Sequence, residues 1–161
     1  MSDNQNVIYV FVKGNKGRGA YYISNHDQHV ELHSDVLEDL IEDGKELNST
    51  QSDFETIIHS LKYIGENQGK NNTPKKPAIF IYTSFESVYG GANPNKERGS
   101  PEERKYETKG RFDRFSALRS KLLRENKIRK AEVYFVPDTF INEIKKASSL
   151  LNDKPKPGSR P

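Results

Sequence analysis

The chain contains no cysteine and no tryptophan, and only one methionine. Without cysteine there is no disulfide framework, no thiolate metal site and no cysteine nucleophile. Apolar residues are also scarce, at 32% of 161 residues, and the mean hydropathy is −0.91. No stretch approaches the roughly 20 consecutive apolar residues of a membrane helix. The opening MSDNQN has neither the basic start nor the apolar run of a secretory leader. The expectation is a cytoplasmic protein with one domain and an economical core, at a length close to the usual domain size.

Charge is plentiful but unevenly placed. Residues 1–70 hold 6 Lys/Arg against 12 Asp/Glu, whereas residues 71–161 hold 20 against 11. A basic second half points to an electrostatic partner.

Periodicity gives the elements. Val7-Ile8-Tyr9-Val10-Phe11-Val12 is β-branched or aromatic throughout, the pattern of a central strand buried on both faces. GNKGRG (14–19) punctuates it, and a glycine there permits the positive φ of a tight turn. Residues 20–24 read as its hairpin partner, and the alternating residues 29–33 as a third antiparallel strand. Ser34 or Asp35 is placed to cap a helix with Val36, Leu37, Leu40 and Ile41 on one side and an acidic face opposite, over 35–46. A second helix carries Phe54, Ile57, Ile58 and Leu61 at i, i+3, i+4 and i+7. GKNNTPKKP (69–77) reads as a solvated linker, and Ile79–Thr83 as a fourth strand. Residues 90–110 lack periodicity and read as an exposed excursion. Helices follow over 111–126 and 140–151, separated by a strand over 131–136. The N-terminus (1–6) is expected to be flexible, and the Pro/Lys tail (152–161) disordered.

This order, β-β-β-α-β-α-β-α with a glycine-rich first hairpin, resembles ribonuclease H. The family's first strand ends Tyr-Thr-Asp-Gly-Ser, where this chain has Phe11-Val12-Lys13-Gly14-Asn15. Its first long helix opens Thr-Asn-Asn-Arg-x-Glu, matched here by Thr50-Gln51-Ser52-Asp53-Phe54-Glu55. Its fourth strand ends Tyr-Thr-Asp-Ser-x-x-Val, matched by Tyr82-Thr83-Ser84-Phe85-Glu86-Ser87-Val88. Asp113-Arg114-Phe115 is similar to an Asp-Leu-Trp in the helix that follows. VYFVPDTFINEIKKA is similar to a shortened last strand and helix. The resemblance spans residues 7–151 and implies an α/β fold with a five-stranded mixed sheet flanked by helices.

The family's chemistry needs four carboxylates converging on two divalent cations. Carried over by position, those carboxylates become Lys13, Glu55, Ser84 and Lys146, of which Glu55 alone is acidic. On that basis the resemblance implies a relative that is not an enzyme, with no metal and no cofactor. Asp53 or Glu86 is the nearest acid that would restore a ligand. Glu55 also has a plain reading, as a first-turn glutamate favoured by the helix dipole.

Other motifs weigh less. His29, Glu31 and His33 alternate along a strand, so their side chains share a face that could chelate zinc; the plain reading is a polar edge strand. GNKGRG is answered by another strand, so it is neither a phosphate-binding loop nor a dinucleotide turn.

The basic signal is stronger. Arg111, Arg114, Arg119, Lys121, Arg124, Lys127, Arg129 and Lys130 are opposed by only Asp113 and Glu125 within 111–130. With the apolar stripe buried, several of these cations share the solvent side, suited to phosphate contacts with little base specificity. Lys13, Lys16 and Arg18 would extend that surface, and Thr50, Gln51 and Ser52 match family positions that touch sugar edges. The sequence therefore leads first to a protein binding duplex or hybrid nucleic acid as an accessory or scaffold subunit. A protein-interaction module using the acidic 35–46 segment is the second reading, and a residual metal-dependent nuclease the third.

Overall fold

Strand propensity and turn chemistry explain most of the architecture. The computed structural model describes residues 6–25, 31–70, 73–92 and 109–153. In chain order its elements are β1 (Val7–Asn15), β2 (Arg18–Asn25), β3 (Glu31–Leu37), β4 (Ile41–Glu42), β5 (Lys45–Glu46), α1 (Ser49–Asn67), β6 (Ala78–Thr83), α2 (Glu86–Ala92), α3 (Lys109–Arg124), β7 (Lys130–Phe135), a 3-10 turn (Asp138–Phe140) and α4 (Ile141–Asp153). The main sheet is five-stranded in the order β3-β2-β1-β6-β7. Strands β1, β2 and β3 pair antiparallel, while β1, β6 and β7 pair in parallel, so the sheet is mixed as the sequence predicts.

Alternation along β1 divides the core. Ile8, Val10 and Val12 join Phe54, Ile57, Leu61 and Ile64 of α1, with Phe115 and Leu122 of α3. Phe11 faces the other way, with Tyr22, Val136 and Ile144, and Tyr9, Tyr82 and Phe140 pack against them. α4 covers that second face through Ile144, Ala147 and Leu151. By the same two-residue period Lys13 lies on the α4 side and Gly14 on the α1 side.

The β1–β2 hairpin turns through Lys16 (φ 25°) and Gly17 (φ 77°). Gly14 and Gly19, a cross-strand pair, serve a different purpose. A Cβ on Gly14 would lie 2.2 Å from the Asp53 amide nitrogen, and one on Gly19 would lie 1.7 Å from Thr56 Oγ1. The two glycines therefore let the α1 backbone press onto the hairpin. Three turn amides then donate into α1: Gly14 N–H to Asp53 Oδ1 at 2.7 Å, Lys16 N–H to Ser49 Oγ at 3.2 Å, and Gly17 N–H to Ser52 Oγ at 2.9 Å. Asn48 caps the helix in a capping box with Gln51.

Several sequence-based expectations are corrected here. The acidic helix over 35–46 does not form. β3 runs on to Leu37 because Asp35, Val36 and Leu37 pair with Tyr21, Ala20 and Gly19. Beyond it, Asp43 (φ 54°) and Gly44 (φ 77°) make the tight turn of the β4–β5 hairpin. Asp-Gly is the strong sequence signal for such a turn. Among the acids of this segment Glu38 pairs with Arg18 at 3.8 Å and Glu42 with Arg111 at 3.1 Å.

The linker over 69–77 contains a buried Thr73 whose carbonyl accepts the Gly69 amide. Residues 90–92 complete α2 and 109–110 open α3, so the central part of the 90–110 excursion (93–108) lies outside the described residues. So do residues 1–5 and 154–161, while residues 152–153 belong to α4. No helix among the described residues is long and apolar enough to cross a membrane.

Candidate nucleic-acid interface

The carboxyl ends of β1 and β6 lie side by side, and each delivers a pair of residues with opposite orientations. Thr83 points toward α1 and Ser84 toward α4, matching Gly14 and Lys13 on β1. Lys13 Nζ donates to Ser84 Oγ at 3.2 Å and stands 4.7 Å from the centroid of the Phe85 ring. Around it is a cleft of about 260 Å³, lined by Lys13, Asn15, Ser49, Phe85, Ser148 and Asn152 among others.

Beneath Lys13, on the α1 side, lies Asp53, which is fully buried. One of its oxygens accepts the Gly14 amide and the other accepts the Thr83 hydroxyl. Burial raises its carboxyl to about pH 6, although Thr83, Gly14 and the Lys13 charge all pull the other way. Asp53 thus clasps β1 to β6 through α1.

Of the four positions carried over from the family, the structure brings together two, Lys13 and Ser84. Glu55 is not with them. It lies two residues beyond Asp53, a rotation of roughly 200° about the helix axis, and faces α3. There its carboxylate accepts from Nη1 and Nη2 of Arg114 and lies 3.1 Å from Arg111 Nε. Burial pushes the Glu55 carboxyl up, but the Arg114 hydrogen bonds and the charges of both arginines outweigh it and hold the group below its ordinary value. With Asn48 as the cap, Glu55 is in the second turn, so the arginines fix it, and the helix dipole has decayed.

Lys146 is also elsewhere. Its ammonium donates to Tyr22 Oη at 3.3 Å and lies over that ring at 4.9 Å. From α4 the cleft receives Ser148, Leu151 and Asn152 instead.

The cations expected on one surface separate into three groups. Arg18 is buried, donating to the Leu151 carbonyl at 3.0 Å beside Glu38. Arg111 is likewise buried between Glu42 and Glu55, Arg114 chelates Glu55, and Arg119 donates to the Ala131 carbonyl at 3.1 Å. These four serve the fold.

Lys121, Arg124, Lys127, Arg129 and Lys130 form the second group, near the end of α3 and the start of β7. Lys130 is in register with Ala78 and Val7. It is therefore six strand residues, roughly 20 Å, from the level of Lys13. Within this group Lys127 pairs with Glu125 at 3.6 Å, and Lys130 lies 5.3 Å from the Phe80 ring centroid.

The third group, at the sheet end, is Lys13 with the exposed Lys16. Of the polar residues beside them, Gln51 is used in the cap and Ser52 is buried, which leaves the half-buried Thr50 beside the turn. Sequence reasoning missed the cleft residues Ser49, Phe85, Ser148 and Asn152. Only Phe85, next to the strand end, carried any local signal.

The zinc reading of the third strand fails on geometry. A register shift between Ile23 and Ser24 sets Glu31 opposite Ser24 and His33 opposite Ile23. The two therefore project to opposite faces, and His33 stacks on Tyr63 at 3.9 Å. His29 lies outside the described residues. Among the described residues no three His, Asp or Glu side chains gather around a metal-sized site. The divalent pair of the family's chemistry does not fit this donor set. At the sheet end Lys13 presents an ammonium, Ser84 a neutral hydroxyl, and Asp53 has both oxygens engaged.

No protein-family model matches the chain, and no curated protein matches it. Solved structures do. The ribonuclease H1 of Halobacterium salinarum is 11% identical, with 91% of this chain and 98% of that one covered at a TM-score of 0.61. LC11-RNase H1, from a compost metagenome and in complex with an RNA/DNA hybrid, is 13% identical over 91% of this chain and 94% of its own, also at 0.61. A foamy viral protease-reverse transcriptase in complex with double-stranded DNA is 10% identical, covering 93% and 94% at 0.57. The expectation that the chain is not an enzyme is corrected by these neighbours, since ribonuclease H1 enzymes share its architecture over nine-tenths of its length. With the sheet order and the helix placement, they establish that the chain has a ribonuclease H-like fold.

Proposed function

We propose that this chain binds duplex or hybrid nucleic acid across the carboxyl ends of β1 and β6. The observation that carries this reading is Lys13. Its ammonium stands at the junction of the two central strands, and among the described residues no carboxylate forms an ion pair with it. Lys16 and Thr50 flank the same end. The group from Lys121 to Lys130, roughly 20 Å away along the strands, gives the phosphate backbone a second place to rest. The hybrid held by LC11-RNase H1 and the DNA held by the foamy viral protein support the assignment of partner class.

Cations on phosphates release condensed counterions, so affinity falls with salt by about 0.9 log units per contact for each log unit of salt. Fluorescence anisotropy with labelled RNA–DNA hybrid, DNA duplex and RNA duplex across a salt series tests the reading. Binding of hybrid or duplex with a steep salt slope is expected, together with a shallower slope in Lys16→Gln. Absence of binding to all three at low salt overturns it.

A further inference from the structure

We infer that the Lys13 cleft is a phosphate seat that works without a divalent cation. The inference deepens the proposed function and rests on it. An ammonium has three donors and no acceptor. Among the described residues Lys13 gives one to Ser84 Oγ, while the Phe85 ring steadies the charge from one side. The remaining donors open onto the cleft. The other polar residues lining it, Asn15, Ser49, Ser148 and Asn152, are neutral hydrogen-bonding groups drawn from β1, α1 and α4, and among the described residues no Asp or Glu lines it.

Among the described residues no carboxylate forms an ion pair with the ammonium. Asp53 is fully buried and spends its oxygens on Gly14 and Thr83. The Ser49 hydroxyl donates to Asn15 Oδ1 at 3.4 Å, which leaves the Asn15 amide NH₂ and the Ser148 and Asn152 side chains beside the ammonium; a compact cation among such neutral groups suits an anion with several oxygens, and lysine binds phosphate as a point charge. At about 260 Å³ the cleft has the volume of roughly eight waters, room for a phosphate with the sugar that carries it. A fixed cation thus occupies the place where the family fold centres its metal chemistry.

Two sources supply such a phosphate, an internal diester of the strand or a terminal monoester. Amide chemical shifts followed in EDTA, with inorganic phosphate and with hybrids ending in 5′-phosphate or 5′-hydroxyl, separate them. Shifts at Gly14, Asn15, Phe85 and Ser148 with every ligand indicate a diester seat. Shifts there with phosphate and 5′-phosphate ends, but not with 5′-hydroxyl ends, indicate a terminal one. Lys13→Gln is expected to weaken the interaction about tenfold, the loss of one charge-assisted hydrogen bond, and Lys13→Arg to retain most of it. Unchanged spectra elsewhere in Lys13→Gln show that the variant is folded. Undiminished binding in that variant, or phosphate binding only when Mg²⁺ is added, overturns the seat while leaving hybrid binding intact. Failure of the wild type to bind any hybrid overturns the proposed function itself.

Discussion

Replacing Asp53 by Asn should stabilise this protein at neutral pH and do nothing in acid. Asp53 is 0% exposed, and its carboxyl is raised from 3.8 to about 6, chiefly by burial. A folded state that holds a proton more tightly than the unfolded chain loses stability as pH rises through the window between those two values. The loss is complete above about pH 7 and absent below about pH 3.8. Two units at about 1.36 kcal/mol each give roughly 3 kcal/mol. Asn reproduces the protonated group: its oxygen accepts the Gly14 amide, and its NH₂ donates to Thr83 Oγ1. Urea unfolding of both proteins from pH 3.5 to pH 8 should therefore show equal stability in acid and a lead for Asp53→Asn of about 3 kcal/mol at pH 8. A difference that does not vary with pH, or a variant less stable at pH 8, would refute the description of Asp53 as a buried clasp held at electrostatic cost.

Gly19→Ala should destabilise by about 2–3 kcal/mol in thermal or chemical unfolding, because its Cβ would meet Thr56 Oγ1 at 1.7 Å. Adding Thr56→Ala should recover part of that loss, and a purely additive pair would count against the steric cause. Glu55→Gln should cost about 2–3 kcal/mol at pH 7, since it leaves the buried Arg111 facing Arg114 without their shared anion. The Glu55 carboxyl titrates below its ordinary 4.5, so its contribution is present above that value and lost as pH falls through the lower one. Wild type and Glu55→Gln should converge in unfolding experiments as the pH is taken down through that lowered value.

Local pattern was enough for the sheet. Val7–Val12, Ile79–Thr83 and Ala131–Val136 are so rich in β-branched and aromatic residues that their strand character does not depend on context. The apolar stripe of α1 was equally plain. Where the reading went wrong, a second pattern competed. Val36, Leu37, Leu40 and Ile41 satisfy a helical spacing, yet pairing with β2 and the Asp43-Gly44 turn overrule it.

The site was half legible for a related reason. Motif order placed Lys13 and Ser84 at neighbouring strand ends, because strands in register carry linear information into space. It failed at Glu55, where two helical residues turn a side chain to the far side of α1. It failed again at Lys146, because the rotation of α4 depends on packing against Tyr22. The cleft's neutral residues come from four separate segments and share no motif.

Lysine acetylation footprinting, with and without RNA–DNA hybrid, tests most directly where nucleic acid rests on this fold. The account predicts protection of Lys13 and Lys16 at the carboxyl end of the sheet. If the hybrid is bound while both remain as reactive as in the free protein, the interface lies elsewhere and the account is contradicted.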